Sequence, residues 1–354
     1  MTQRFGAVLA VAWLAIALQG SPAGPVPPFE FTHLADGVYA SIRREPVGLG
    51  VDANNLVVIG DDGVLVVDTN FGPSSTRQVL AKLRTITDKR VKYVVNTHPH
   101  DDHVLGNSVY REAYPDAEFI GHPFLAEYLP GRGAANRKAQ VENLPRFATA
   151  LKDALAGELN LAKQPVTDEE RAGYESDLRL IEAYLKDALT FVDVLPTTTV
   201  DDRLTLNLGS RTVDILHLGR GHTAGDLVVH LPREGIVATG DLVVHPIPLV
   251  GGDQSFVAEW SASLEKVIAL KPRIIVPGHG PVMRDTAYAK QMADLFASVT
   301  KQVKAAPGST LDEVRKGVDL TPFRDRFAGD SQLKRFLFAN YVTGPAVASA
   351  FAAR

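Results

Sequence analysis

The stretch Thr97-His98-Pro99-His100-Asp101-Asp102-His103 constrains this chain more than any other. It follows the apolar run Val91 to Val95 and sets three imidazoles beside two carboxylates, with metal-capable side chains at His98, His100, Asp102 and His103. A hydrophobic core has no use for such a cluster, and the whole chain contains only 10 His. Imidazole nitrogens and carboxylate oxygens are borderline-to-hard ligands, which suits Zn²⁺ first and Fe or Mn second. The spacing predicts a metal site.

The second half of the chain repeats the placement. His222 lies in Gly221-His222-Thr223 after a β-type run ending at Leu218, Asp241 follows the run Ile236 to Ala238, and His279 in Gly278-His279-Gly280 follows Ile274 to Val276. Asp68 closes the run Val64 to Val67 in the same way. In open α/β architectures the carboxyl ends of strands are where ligand-binding loops converge. Five such placements predict one shared site, and the neighbouring glycines permit the sharp turns that bring the side chains inward.

Composition narrows the class. The net charge of −4 offers no basic field, so a nucleic-acid partner is excluded and a small-molecule substrate is expected. There are 0 Cys, hence no disulfide framework, no lipid-anchored Cys and no thiolate ligand, and a thiolate-free metal site tolerates an oxidising compartment. Arg4 precedes an apolar run from Phe5 to Leu18, which Gln19-Gly20-Ser21-Pro22 interrupts. A short basic start, an apolar centre of that length and a small-residue exit predict a secretory signal over residues 1–23, cleaved after Ala17 or Ala23. The expected location is therefore the periplasm or the exterior, with no membrane attachment after cleavage. The oligomeric state is left open.

Residues 29–354 read as one α/β domain. Strands are expected over Val38 to Ile42, Asn55 to Ile59 and Val64 to Val67, with Asp61-Asp62-Gly63 as a hairpin turn, then a helix from Pro73 to about Ile86. Ala117 to Ile120 is a further strand, ending at His122. From 131 to 195 the pattern becomes helical, with Leu144, Phe147, Leu151 and Leu155 on one face, Tyr174, Leu178, Ile181 and Leu185 on another, and Thr167-x-x-Glu170 as a capping box. This predicts a helical hairpin inserted between the two halves, acting as a wall over the site or as a structural or dimer-forming unit. Strands return over Arg203 to Leu208, Thr212 to Leu218 and Leu227 to Leu231, a helix is expected over about Ala262 to Leu270, and residues 285–354 read as C-terminal helices.

His98-x-His100-x-Asp102-His103 with His222, Asp241 and His279 resembles the full ligand set of the metallo-β-lactamase-fold hydrolases, over nearly the whole chain from the first strands to Gly280. The resemblance implies a four-layer αβ/βα sandwich with two zinc ions per chain. His98, His100 and His222 would hold one ion; Asp102, His103 and His279 would hold the other, with Asp241 between them. It further implies that a hydroxide bridging the metals attacks the carbonyl of an ester, thioester, lactone or β-lactam, with Asp102 orienting it. Where the largest subclass of zinc β-lactamases has a ligand Cys, this chain has Asp241, which resembles glyoxalase II-type thioesterases and lactonases. The same fold also carries iron-dependent persulfide dioxygenases, the alternative activity; a complete set of seven ligands favours hydrolysis over a one-iron site.

Four further residues are candidates for supporting or substrate contacts. Asp68 and Thr97 would fix imidazole tautomers, although Asp68 also reads as a turn residue; His122 is divided between a supporting and a structural role; His245, four residues past Asp241, borders the expected pocket. His217 alternates into a strand and reads as a packed residue.

Overall fold

The computed structural model of the chain describes residues 29–46, 48–251 and 254–354. The signal-peptide expectation for residues 1–23 lies outside these. Twelve strands form two sheets. The first contains β1 (Phe29–Ala35), β2 (Val38–Arg43), β3 (Asn55–Ile59), β4 (Val64–Val67), β5 (Val91–Val95), β6 (Glu118–Gly121) and β7 (Thr198–Thr199), in that spatial order. β1 to β4 pair antiparallel, and β4 to β7 pair parallel. The second contains β8 (Arg203–Asn207), β9 (Thr212–His217), β10 (Leu227–Leu231), β11 (Ile236–Ala238) and β12 (Ile274–Val276) in the order β12-β11-β10-β9-β8, with β11 and β12 parallel.

Strand periodicity builds the layers. Side chains alternate across a sheet, so a run of consecutive apolar residues must be covered on both faces. Leu56, Val58, Leu65 and Val67 meet Val213, Ile215, Leu227 and Val229 in the core between the sheets. Their neighbours Val57, Val64 and Val66 face outward against α1 (Pro73–Arg84), reached through Leu80 and Leu83. Across the molecule, Val228, Val237 and Ile275 face α7 (Val257–Ala269) and α8 (Ala287–Lys304) through Trp260, Leu264, Met292 and Phe296. The result is the expected four-layer αβ/βα sandwich.

The remaining helices are short, apart from a hairpin. After β5 come α2 (Asp101–Val104) and α3 (Asn107–Ala113), and after β6 comes α4 (Pro123–Tyr128), running through a π-helical turn into α5 (Ala134–Gly157). α5 pairs with α6 (Asp168–Asp187), whose start carries both halves of the Thr167/Glu170 capping box. Helices α9 (Leu311–Gly317), α10 (Thr321–Ala328), α11 (Gln332–Phe338) and α12 (Gly344–Ala352) close the chain. Three boundaries differ from the sequence expectation. β1 is an edge strand whose apolar positions are too few to stand out, β7 is two residues long, and α7 begins at Val257 because Val257 and Trp260 are both fully buried.

The hairpin is fastened to the loops that carry the metal-capable residues. Tyr184 donates its hydroxyl to Asp101 Oδ2 at 3.0 Å, and its ring stacks on Phe71 at 4.5 Å. Asp187 accepts from the Ser74 amide and hydroxyl, each at 2.7 Å, at the start of α1. Asp177 accepts from the amides of Leu49 and Gly50 at 2.8 and 2.9 Å. Hydrogen bonds to an ionised carboxylate are the stronger kind. The hairpin therefore braces these loops as well as walling them.

Candidate metal centre

Every metal-capable side chain singled out above sits just past the C-terminal end of a strand: Asp68 after β4, His98 to His103 after β5, His222 after β9, Asp241 after β11 and His279 after β12. The Leu227 amide donates to Thr97 O at 2.8 Å, tying the two sheets together at this edge. Two groups result, His98 with His100, His222 and Asp241, and Asp102 with His103 and His279. Within each group the ligand atoms lie within 4.8 Å of one another. All seven residues are buried except His100, which is partly exposed.

Inward-facing atoms crowd one another in this cluster. His222 Nε2 and His98 Nε2 stand 2.9 and 3.2 Å from His100 Nδ1, and His103 Nε2 stands 3.4 Å from His279 Nε2. Asp102 Oδ2 is 3.1 Å from His279 Nε2, yet neither it nor Asp241 Oδ1 has a directed partner. Buried polar atoms in folded proteins nearly always have partners, so two orphaned carboxylate oxygens among crowded ring nitrogens indicate a shared cation. Asp241 faces both groups. Its Oδ2 lies 3.4 Å from His222 Nε2 and its Oδ1 lies 3.2 and 3.3 Å from His103 and His279 Nε2.

The opposite edges of the rings fix this arrangement. A ligand imidazole is oriented by what its second nitrogen donates to. His103 Nδ1 reaches Asp68 Oδ2 at 2.8 Å, His222 Nδ1 reaches Leu249 O at 3.2 Å, His279 Nδ1 reaches Asp52 O at 3.1 Å, and His98 Nδ1 reaches Thr97 Oγ1 at 3.0 Å. Thr97 in turn donates its hydroxyl and its amide to Asp68, both at 2.8 Å. Asp68 holds this position with φ 59, in the left-handed region that aspartate tolerates better than most residues. Gly278 makes room for Asp241, since a Cβ there would stand 1.9 Å from Asp241 Oδ1.

The electrostatics call for added positive charge. Burial alone would raise Asp102 and Asp241, but His103 and His279 hold both carboxyls well below the usual range. Burial alone would lower His279, but Asp241 and Asp102 raise it to about 10. Burial lowers His98 well below its ordinary value and His222 to about 3, so these two are neutral. Asp102 and Asp241 are thus two buried carboxylates balanced by imidazolium protons, a balance divalent cations would supply with neutral imidazoles. The donor set is nitrogen and oxygen throughout, which fits zinc, iron or manganese.

Of two further sequence candidates, His122 stands apart from the cluster and His245 borders it. His122 caps α4, its Nδ1 accepting from the Phe124 amide at 3.0 Å, and its ring packs on His217 at 4.6 Å. That cap uses the nitrogen a supporting role would have needed. His245 lies beside the cluster: its amide donates to His279 O at 3.2 Å, and its ring packs against Tyr288 at 5.1 Å. Sequence reading missed the carbonyls of Asp52 and Leu249, which carry no side-chain signal, and the role of Asp101 in holding the hairpin.

Comparison with known proteins agrees with this geometry. The family model of the metallo-beta-lactamase superfamily matches residues 49–279. A linear primary-alkylsulfatase from Pseudomonas sp. is 26% identical over 278 residues, 74% of this chain; the chain spans only about half of that relative, 49% of its length. A metallo-beta-lactamase type 2 from Bacillus cereus is 26% identical over 239 residues, covering 66% of this chain and 70% of the relative. Among solved structures, a metallo-beta-lactamase from Pontibacter korlensis superposes with TM-score 0.51 at 20% identity, over 76% of this chain and 99% of that one, a likeness of fold.

Proposed function

The chain belongs to the metallo-β-lactamase superfamily, and from that premise we propose that it is an exported, binuclear metal-dependent hydrolase of carboxylic esters, thioesters, lactones or β-lactams. The observation that carries the reading is Asp241, whose two oxygens face the two ligand groups separately. His98, His100 and His222 would hold one ion and Asp102, His103 and His279 the other, with Asp241 facing both groups. Zinc is the favoured metal because the ligands are imidazole and carboxylate. Such ions would supply Lewis-acid chemistry, lowering the pKa of a water in the site toward neutrality.

The chain's own groups supply orientation and proton handling. The Thr97–Asp68–His103 chain of hydrogen bonds keeps the His103 Nε2 lone pair aimed into the site. Asp102, whose side chain lines the cleft, would orient the attacking water and relay its proton to the departing group. No Ser or Cys nucleophile is required. Asp241 in place of a thiolate supports ester, thioester and lactone substrates ahead of β-lactams.

A panel of chromogenic ester, thioester, lactone and cephalosporin substrates, run on zinc-loaded protein, tests this reading. At least one of the first three should be turned over, with activity abolished by chelators. One tightly held iron per chain, with oxygen consumed on a persulfide, would overturn it in favour of a dioxygenase.

Export rests on the basic start and apolar run of residues 4–18. Among the described residues no helix is long and apolar enough to cross a membrane. N-terminal sequencing of protein from a periplasmic or secreted fraction should give a start between about Leu18 and Pro25; intact Met1 in a membrane pellet would contradict export.

A further inference from the structure

The cleft that leads to Asp102 is built for a particular kind of substrate. It has a volume of about 670 Å³, and its walls come from the hairpin on one side and from the loops before α1 on the other. Leu144 and Phe147 project from α5, Leu180 and Ile181 from α6, and Leu49 and Phe71 face them. The Asp102 side chain retains 11% exposure, so the cleft reaches the ligand groups themselves. Among the described residues lining it there is no Lys or Arg. Its charged side chains are Asp102 and Asp177, and the Asp177 carboxylate is taken up by the Leu49 and Gly50 amides.

Apolar walls without a cation reward burial of hydrocarbon and penalise an anionic tail, which would shed its hydration with no partner. We propose that the substrate carries an uncharged apolar chain, aliphatic or aromatic, which lies between α5 and α6 and Phe71 while its scissile carbonyl reaches the ligand groups. This inference rests on the hydrolase reading above. The reaction is simple hydrolysis: the acyl carbon–heteroatom bond breaks, water's oxygen joins the acyl group, and its proton leaves with the alcohol or thiol. Leu144 and Phe147 determine chain specificity. Both are partly exposed on one helix face at the margin of the core, so polar replacements there change the cleft while the fully buried residues stay in place.

The test uses zinc-loaded full-length protein with two series: 4-nitrophenyl esters with acyl chains from acetyl to octanoyl, and acetate esters of ethanol to octanol. Each methylene buried should raise kcat/KM about three- to fourfold until the cleft is filled, and a terminal carboxylate on the longest chain should abolish the gain. In Leu144→Asn/Phe147→Asn the dependence on chain length should flatten. A flat dependence in both series, with the acetate cleaved, overturns the chain inference and leaves the hydrolase reading standing. A steep dependence unchanged in the double variant overturns it as well.

Saturation-transfer NMR with 2-decanone and 2-butanone separates the two readings without relying on turnover. If no ester, thioester, lactone or cephalosporin is cleaved but 2-decanone binds at least tenfold more tightly than 2-butanone, and loses that advantage in the double variant, the hydrolase reading falls and the apolar-chain site stands. If no ester is cleaved and the two ketones bind alike, the chain inference is overturned too.

Discussion

Asp241→Ala is expected to lower metal content from about two divalent ions per chain to one or fewer and to remove hydrolytic activity. Asp241 places one oxygen toward each ligand group, so its loss takes a ligand from both at once. It also leaves His103 and His279 facing each other with less negative charge to hold them together. Asp68→Asn should act less severely, by roughly 10–100-fold in metal affinity. All three groups that reach Asp68 are donors: Thr97 N, Thr97 Oγ1 and His103 Nδ1. An amide would turn its own NH₂ against one of them and leave that donor unpaired. His245→Ala should leave occupancy unchanged, because the His245 ring packs on Tyr288 and only its backbone amide reaches His279. Elemental analysis of the dialysed variants reads this order directly, and equal occupancy in Asp241→Ala and His245→Ala would refute the bridging role.

Removal of the metals is expected to cost the fold much of its stability. A ligand bound by the native state alone adds about 4 kcal/mol when its free concentration is 1,000 times its Kd. Crowding of carboxylates that only imidazolium protons then balance adds to the loss, since Asp102 and Asp241 are both buried in one cluster. For a chain of this size, each kcal/mol corresponds to a shift of about 2–4 °C, so chelation should lower Tm by on the order of 10 °C. Thermal unfolding followed by circular dichroism, with zinc and with excess chelator, measures the difference. The loss should be reversed by readded zinc and should be smaller in Asp241→Ala, which has less metal to lose. An unchanged Tm in protein verified as metal-free would mean that histidine protons balance the carboxylates as well as cations do.

The hairpin shows how far such a site depends on its surroundings. It contributes no metal-capable residue to either group, yet Tyr184 fixes Asp101, the neighbour of Asp102, and Asp177 and Asp187 hold the loops beside it. Buried hydrogen bonds to carboxylates resist small displacements, so the cleft wall and the ligand loops are expected to move as one unit.

What the sequence determined by itself was the chemistry. Three imidazoles and a carboxylate within six residues had to share a neighbourhood whatever the fold, and the apolar runs before Asp68, His98, His222, Asp241 and His279 carry the strand signal that sets all five at one sheet edge. Period-two alternation and continuous apolar runs made most strands legible, and the Thr-x-x-Glu capping box marked a helix start at Thr167. Only the tertiary structure decided which nitrogen of each ring faces inward, because that depends on partners such as Asp52 O and Leu249 O, backbone atoms every residue possesses. The division of the ligands into two groups with Asp241 facing both, already implied by the family resemblance, takes shape where the two sheets meet through Leu56, Leu65, Ile215 and Val229. His122 shows the same limit from the other side: its position at a strand end pointed toward the site, while a local cap on α4 and packing against His217 took its side chain elsewhere. Spacing along the chain fixes contacts only between near neighbours; the rest is set by packing of the core, which no short motif encodes.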